Sequence, residues 1–205
     1  MSASYSSLNL VLMGPPGSGK STQARLLADT YQLPLISTQQ MLLQEIEKGT
    51  AAGLQAAEGI ERGELVSDRV MSGMILQRLD SDDCWRGFIL DGYPRTSEQA
   101  GLLDGILAEL GRSIERVVLI DVPEDVGIER LTNSDDRVSR RSNNGANRGD
   151  SVGFATERFR IWRDHAPKLV ESYRNRGLLL EVDGSQPEDL VSEAVMQAVG
   201  APVGA

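Results

Sequence analysis

The feature that most constrains this chain is a glycine-rich segment near its N-terminus, Gly14 to Ser21, which reads GPPGSGKS. It fits the pattern G-x-x-x-x-G-K-[ST], in which backbone N–H groups surround the phosphates of a nucleotide. The apolar run Leu8–Met13 precedes it and is typical of a buried parallel strand, and the residues after it have helical periodicity. Because strand, loop and helix follow in this order, the segment predicts a nucleoside triphosphate site at the start of an α/β domain.

Two side chains are expected to complete this site. Lys20 would reach the β- and γ-phosphates, and the Ser21 hydroxyl would take one position on Mg²⁺. A second apolar run, Gly87–Leu90, ends in Asp91, and parallel strands place their ligands at their carboxyl ends. Asp91 is therefore the predicted partner of Ser21 at the magnesium ion, which it would hold through water. The alternative is an acid that only caps the turn after the strand.

The rest of the chain alternates between strand-like and helix-like segments. Further strands are predicted at 34–37, 87–92, 117–121 and 178–182. Residues 133–151 lose this periodicity and predict a surface loop, and a long helix is predicted from about 152 to 175. The 205 residues suit a single core. We therefore expect one domain over 1–205, an α/β fold of the P-loop type with a five-stranded parallel sheet and helices on both faces.

The composition of the chain limits where the protein can be located in the cell and which partners it can bind. The net charge of −9 argues against a protein that binds nucleic acid through its whole surface, and no apolar run approaches the roughly 18 residues of a membrane span. Residues 1–7 lack the basic and apolar regions of a signal peptide. Cys84 is the single cysteine, which excludes an internal disulfide and agrees with a reducing compartment. A cytoplasmic location is therefore expected.

Arginine is concentrated in one segment of this acidic chain. Seven arginines fall between Arg137 and Arg163, where only Asp150 and Glu157 oppose them. Because the guanidinium group suits bidentate phosphate binding, the segment indicates a face that contacts phosphates. A solvated basic surface or a disordered arm is the alternative.

These motifs together resemble the nucleoside monophosphate kinases, and most closely the adenylate kinase type. The stretches that carry the resemblance are 14–23 (GPPGSGKSTQ), 36–38 (IST), 63–68 (GELVSD), 88–99 (FILDGYPRTSEQ), 122–123 (VP), 130–131 (RL) and 166–167 (AP). The resemblance spans Leu8 to Val199 and implies phosphoryl transfer from Mg-ATP to a nucleoside monophosphate, ATP + AMP ⇌ 2 ADP. It also implies an NMP-binding arm at about 37–66, a short lid at about 133–151, and a monomer whose partners are nucleotides.

The resemblance assigns roles to individual residues. ATP is expected to contact Gly14, Pro15, Pro16, Gly17, Ser18, Gly19, Lys20, Ser21, Thr22 and Arg130. The acceptor nucleotide is expected to contact Thr38, Leu43, Glu64, Leu65, Val66, Gly92, Arg95, Gln99, Arg148 and Arg158. The expected catalytic groups, which would neutralise charge on the transferring phosphoryl group, are Lys20, Arg95, Arg130, Arg148 and Arg158. Among these residues, Arg95 resembles the arginine that binds the acceptor phosphate, and Gln99 resembles the amide that reads adenine.

The chain departs from the family pattern on the acceptor side. After Ser37-Thr38 the family has G-D-[ML]-L-R, and this chain has QQMLL at 39–43. Leu43 replaces an arginine for the acceptor phosphate, Gln40 replaces an acid near the metal, Gln39 replaces a glycine, and Ser134 replaces a lid arginine. We therefore expect weakened or altered acceptor binding. Two alternatives stay open: a kinase for CMP, UMP or a deoxynucleotide, and a catalytically impaired ATP-binding regulator.

The family resemblance also raises the question of a second metal. Some long-lid bacterial members carry a structural zinc in the lid, bound mainly by cysteine. The lid segment here contains no cysteine. No structural zinc is therefore expected, and the expected cofactors are ATP and Mg²⁺.

Overall fold

The structure, a computed structural model, describes residues 8–51, 53–55, 57, 66–133 and 148–200, with the side chains of 148–151 left out. The strands are β1 (Leu8–Met13), β2 (Leu35–Ser37), β3 (Gly87–Asp91), β4 (Arg116–Asp121) and β5 (Leu179–Asp183). The helices are α1 (Lys20–Tyr31), α2 (Thr38–Glu47), α3 (Asp68–Leu79), α4 (Ser97–Glu109), α5 (Glu124–Asn133), α6 (Arg148–Asn175) and α7 (Glu188–Val199). Residues 51, 53–55 and 57 are also helical, and Asp82–Cys84 form a 3₁₀ turn.

The strands form one parallel sheet in the order β2-β3-β1-β4-β5. The central strand β1 pairs on both sides, with Leu10 opposite Ile89 of β3 and Arg116 of β4. This arrangement confirms the predicted α/β fold with a five-stranded parallel sheet. Because β1 and β3 are neighbours, the loop after Met13 and the turn after Asp91 meet at the same edge of the sheet.

Alternating side chains of the strands build one apolar cluster on each face of the sheet. Val11 and Met13 of β1 belong to the cluster that α3, α4 and α6 cover. Leu10 and Leu12 belong to the opposite cluster, which α1 and α7 cover. Helices therefore lie on both faces, as predicted, and hold the strand ends in fixed positions. Within the described ranges, no helix is both long and apolar enough to cross a bilayer.

Side-chain caps begin two helices: the sequence offers Ser37 or Thr38 for α2 and Thr96 or Ser97 for α4, and the structure shows Ser37 and Thr96 in these positions. The Ser37 hydroxyl accepts a hydrogen bond from the Gln40 backbone N–H at the start of α2, and Thr96 does the same for the N–H of Gln99 at the start of α4. Each cap satisfies an N–H group that the helix itself leaves without a partner. Ser37 directly follows β2, so the cap also fixes how α2 leaves the edge of the sheet.

The predicted boundaries of the lid differ in part from the helix boundaries in the structure. The long helix was expected from about 152, but α6 begins at Arg148. Gly149 is a poor helix former, so residue preference alone does not mark this start. The predicted lid at 133–151 therefore includes the last residue of α5 and the first turn of α6. Its remaining residues, 134–147, lie outside the described residues.

Candidate functional site

A cleft of about 1020 Å³ opens at the carboxyl edge of the sheet. The ends of β1 and β3 and the loop between β1 and α1 form its base, while α2 and α6 contribute to its sides. Its volume is at the upper end of the range typical of small-molecule sites. The residues with the predicted phosphate and acceptor roles lie in it or next to it.

Two glycines give the loop a shape that other residues disfavour. Gly17 has φ +76°, and a Cβ atom there would lie 2.4 Å from the backbone oxygen of Gly127 on α5. Gly19 has φ +87° and precedes α1 without a side-chain cap, and the first turn of α1 carries no acid. A helix start without capping side chains leaves N–H groups available to an anion, and the helix dipole favours negative charge there.

Lys20 lies in the cleft at the start of α1, and its Nζ donates a hydrogen bond to the Pro15 backbone oxygen at 3.2 Å. Desolvation lowers the pKa of Lys20 to about 8; Asp91 raises it, and nearby Arg158 and Arg95 lower it further. Lys20 therefore lies near two other cations and near the carboxylate of Asp91. A bound triphosphate would supply negative charge and raise the pKa of Lys20 again.

Asp91 and Ser21 are joined directly at the end of β3. The Ser21 hydroxyl donates to Asp91 Oδ2 at 2.7 Å, and Asp91 is only 5% exposed. Asp91 Oδ1 is buried without a hydrogen-bond partner among the described residues. The same residues contain no cluster of three or more His, Cys, Asp or Glu. A hydroxyl beside an unpaired carboxylate oxygen is an oxygen donor set that fits Mg²⁺ together with its waters and substrate phosphates.

Arg95 lies on the cleft wall, where its Nε donates to the Gly92 backbone oxygen at 2.9 Å. Gln99 lies one helical turn further on, and its Oε1 accepts from the Arg95 backbone N–H at 2.8 Å. Its Nε2 donates to Asp68 Oδ1, also at 2.8 Å. Gln99 is 3% exposed and does not itself line the cleft. The amide is therefore held beside the wall that Arg95 forms.

The arginine-rich segment divides into two groups. Arg158 lines the cleft, together with Arg130 of α5, whose Nη1 donates to the Gly184 backbone oxygen at 2.8 Å. Arg160 and Arg163 lie on the same helix as Arg158 but form exposed ion pairs. Arg160 pairs with Glu157 and Asp164, and Arg163 pairs with Glu124 of α5. Exposed pairs of this kind contribute little to stability. Among the described side chains of this segment, the phosphate-facing interpretation fits Arg158, and the solvated-surface alternative fits Arg160 and Arg163.

The structure brings most of the predicted site residues together. Those that line the cleft are Gly14, Pro16, Gly17, Gly19, Lys20, Ser21, Thr22, Leu43, Asp91, Gly92, Arg95, Arg130 and Arg158. Those that lie outside its lining, buried or half-buried, are Pro15, Ser18, Thr38, Val66 and Gln99. Thr38 is held there by a hydrogen bond from its hydroxyl to the Asp91 backbone oxygen. Glu64, Leu65, Ser134 and the side chain of Arg148 lie outside the described part of the chain.

The departures from the family pattern also face this cleft. Gln39, Gln40 and Leu43 all line it from α2. Leu43 is half-buried, so an apolar side chain takes up space at the position where the resemblance expects a guanidinium group. The side chains that α2 presents to the cleft are therefore neutral among the described residues.

Sequence reasoning missed other residues at or near the site. Trp162 lines the cleft and also packs on the core; it follows Arg158 by one helical turn, and that spacing could have indicated it. No sequence signal marks Gly127, where a Cβ atom would lie 2.2 Å from the Phe159 ring and 2.7 Å from the Pro16 backbone oxygen. The sequence at 66–68 predicts only the start of a helix, and the contact between Asp68 and Gln99 joins residues 31 positions apart.

Comparison with known proteins gives a consistent result. The family model described as adenylate kinase matches residues 12–178. The chain is 42% identical over 193 residues to an adenylate kinase of Xylella fastidiosa strain 9a5c, covering 94% of this chain and 100% of that relative. It is 40% identical, with the same coverage, to an adenylate kinase of Xanthomonas campestris pv. campestris strain 8004. An adenylate kinase of Archaeoglobus fulgidus is 36% identical, over 87% of this chain and 92% of the relative.

Proposed function

The chain belongs to the adenylate kinase family, and we propose that it catalyses ATP + AMP ⇌ 2 ADP in the cleft at the sheet edge. The observation that carries this proposal is the presence of Lys20 and Arg95 in one cleft with the bonded pair Ser21 and Asp91, where both cations interact with the Asp91 carboxylate. Two phosphate-binding groups beside a metal-binding pair are what transfer between two nucleotides requires.

On the donor side, the loop from Gly14 to Ser21 would bind the triphosphate through backbone N–H groups. Lys20 would exchange its bond to the Pro15 carbonyl for the β- and γ-phosphates. Because the side chain is already desolvated, its charge acts on the phosphates with little competition from water.

Members of this family use ATP with Mg²⁺, and the donor set here fits that ion. Ser21 and Asp91 would hold it, Asp91 through water, using the Oδ1 atom that lacks a partner among the described residues. When bound, Mg²⁺ would neutralise charge on the phosphates and orient them.

On the acceptor side, Arg95 would bind the phosphate of AMP, and Gln99, which lies beside the wall that Arg95 forms and is 3% exposed, would contact the base at that wall. Arg130 and Arg158 would stabilise the charge on the transferring phosphoryl group, because both line the cleft. No general base is needed, since positioning and charge stabilisation supply most of the rate. Leu43 leaves this side one arginine short of the family pattern, so we propose that AMP binds more weakly than in members that keep that arginine.

Closure of the arm (about 37–66) and the lid (about 133–151) over both nucleotides is part of the proposal, because an open cleft would transfer the phosphoryl group to water. A monomer is proposed as the active unit, as the family resemblance implies. A cytoplasmic location is proposed from the single cysteine, Cys84, which is unpaired and buried.

A coupled assay of ADP formation with a panel of nucleoside monophosphates tests the proposal. We expect AMP to give the highest kcat/KM. A tenfold preference for CMP or UMP would instead favour a kinase for another acceptor. The presence of Leu43 in the cleft is the observation that favours the alternative of an ATP-binding regulator. Calorimetry that shows tight ATP binding without AMP binding, together with turnover near background, would support that alternative.

A further inference from the structure

The side-chain amide of Gln99 has partners of opposite polarity at its two ends. The Arg95 backbone N–H donates to Oε1 at 2.8 Å, and Nε2 donates to Asp68 Oδ1 at 2.8 Å. A backbone N–H can only donate, and an ionised carboxylate can only accept. The two partners therefore identify the oxygen and the nitrogen of the amide without ambiguity.

These two contacts fix one of the two orientations of the amide. A rotation by 180° would place Oε1 against the Asp68 carboxylate and Nε2 against the Arg95 N–H, so both hydrogen bonds would be replaced by repulsive contacts. Gln99 is 3% exposed, so water is poorly placed to relieve either contact.

The backbone of Gln99 is fixed as well. Its N–H donates to the Thr96 hydroxyl at 3.2 Å, and its carbonyl oxygen accepts from the buried Tyr93 hydroxyl at 3.2 Å. Both bonds hold the first turn of α4 in place. The orientation of the amide is then the remaining freedom of this residue, and Asp68 on α3 limits it from another part of the fold.

The fixed amide still has one N–H of Nε2 and one lone pair of Oε1 beyond these two bonds. The edge of adenine presents an amino donor next to an unprotonated ring nitrogen, N1, so it can pair with an amide carbonyl and N–H. A 6-oxo purine presents a carbonyl oxygen next to a protonated N1, which is the reverse pattern. An amide that can rotate accepts both bases, whereas a fixed amide accepts one of them.

We propose that Asp68 is a specificity-determining positioning residue: by holding the Gln99 amide in one orientation, it selects a 6-amino purine acceptor against a 6-oxo purine. This inference rests on the proposed function, in which Gln99 contacts the base of the acceptor. Asp68 acts through Gln99 and does not itself need to touch the nucleotide.

The test compares AMP with IMP, which differ only at position 6 and at the proton on N1. In Asp68→Asn the new side chain can donate or accept, so one of the two contacts that oppose rotation of the Gln99 amide is removed and only the Arg95 backbone N–H still opposes it. We expect the ratio of kcat/KM for AMP to that for IMP to fall by about tenfold or more, the effect of one hydrogen bond to a charged group. The change should reside in KM, with kcat for AMP within about threefold of the wild type, because the base contact exists before and during transfer.

Asp189→Asn is the matched control, since Asp189, like Asp68, is an acid in the first turn of a helix, here α7, and its side chain is exposed. It should leave the AMP:IMP ratio unchanged. In a Gln99→Ala background, Asp68→Asn should have no further effect on the ratio, whereas a purely structural role would still lower activity. If Asp68→Asn does not fold, Asp68→Ser applies the same test, because a hydroxyl also donates and accepts.

The outcomes separate the two claims. Wild-type protein that prefers AMP, combined with an unchanged AMP:IMP ratio in the Asp68 variant, contradicts this inference and leaves the proposed function intact. Wild-type protein that prefers CMP or UMP contradicts both. A lowered ratio that depends on the presence of Gln99 supports both.

Discussion

In the proposed reaction, the two sides of the cleft would use different parts of the chain to bind a phosphate. On the donor side, backbone N–H groups of the glycine loop would face the triphosphate, and Lys20 would add a desolvated charge. On the acceptor side, α2 presents Gln39, Gln40 and Leu43, and Arg95 supplies a cation from the turn after β3. A site built from backbone keeps its N–H groups when side chains change, whereas a site built from side chains loses a contact with each substitution. The acceptor side is therefore where affinity and specificity are most easily altered.

The largest expected effect tests the donor side. Replacing Lys20 by Met removes the charge while keeping most of the length of the side chain. We expect kcat to fall by about 10²–10³-fold, the scale found when a preorganised stabilising group is removed. The coupled ADP assay measures this, and Lys168→Met, an exposed lysine of α6, is the control. Near wild-type turnover of the Lys20 variant would contradict the assignment of the donor side.

A smaller loss of activity is expected from a substitution on the acceptor side. Arg95→Met should raise the KM for AMP and lower kcat/KM by about 10- to 100-fold, because a hydrogen bond to a charged group contributes about 1.5–3 kcal/mol. The Kd for ATP, measured by calorimetry, should change by less than about twofold. Arg116→Met, an exposed arginine at the start of β4, serves as the control. If the substitution weakened the binding of ATP as much as that of AMP, the two sides of the cleft would not be separate sites.

The next change should make the two sides more alike. Leu43→Arg restores a guanidinium group on the cleft-facing surface of α2, and we expect the KM for AMP to fall by about tenfold. Gln44→Arg adds the same charge to the same helix at an exposed position outside the cleft lining, and it should leave KM unchanged. An unchanged KM in the Leu43 variant would mean that this position does not face the acceptor phosphate.

The smallest effect comes from adding charge chemically. Leu43→Cys labelled with an aminoethyl thiosulfonate should lower the KM for AMP by about two- to fivefold, as for a flexible, partly exposed cation, and a sulfonatoethyl label should raise it.

The native thiol of Cys84 should not react with these labels, because desolvation raises its pKa to about 11 and the side chain is fully buried. Roughly one Cys84 thiol in a thousand is then ionised at pH 8, and its alkylation rate should rise about tenfold per pH unit toward pH 11. Fast labelling of Cys84 in the wild-type protein at pH 8 would contradict the raised pKa and the burial of this thiol.

Much of the donor side could be predicted because it depends on local sequence. The glycine loop, the preceding strand and the following helix are contiguous, and Asp91 ends a strand that neighbours β1. Arg95 and Leu43 also lie in the cleft, as the family resemblance implies. The burial of Gln99 and Thr38 next to the cleft was not apparent, because it depends on how α4 and α2 pack against the sheet.

The sequence by itself determined the alternation of strands and helices and the loop that begins the site, and it narrowed the caps to Ser37 or Thr38 and to Thr96 or Ser97, since each depends on residues within one or two turns. Only the tertiary structure decided which arginines of α6 face the cleft, because Arg158 and Arg160 differ by about 200° around the helix axis. The tertiary structure also brought Asp68 to Gln99, and a contact between side chains on separate helices depends on packing that local patterns do not encode.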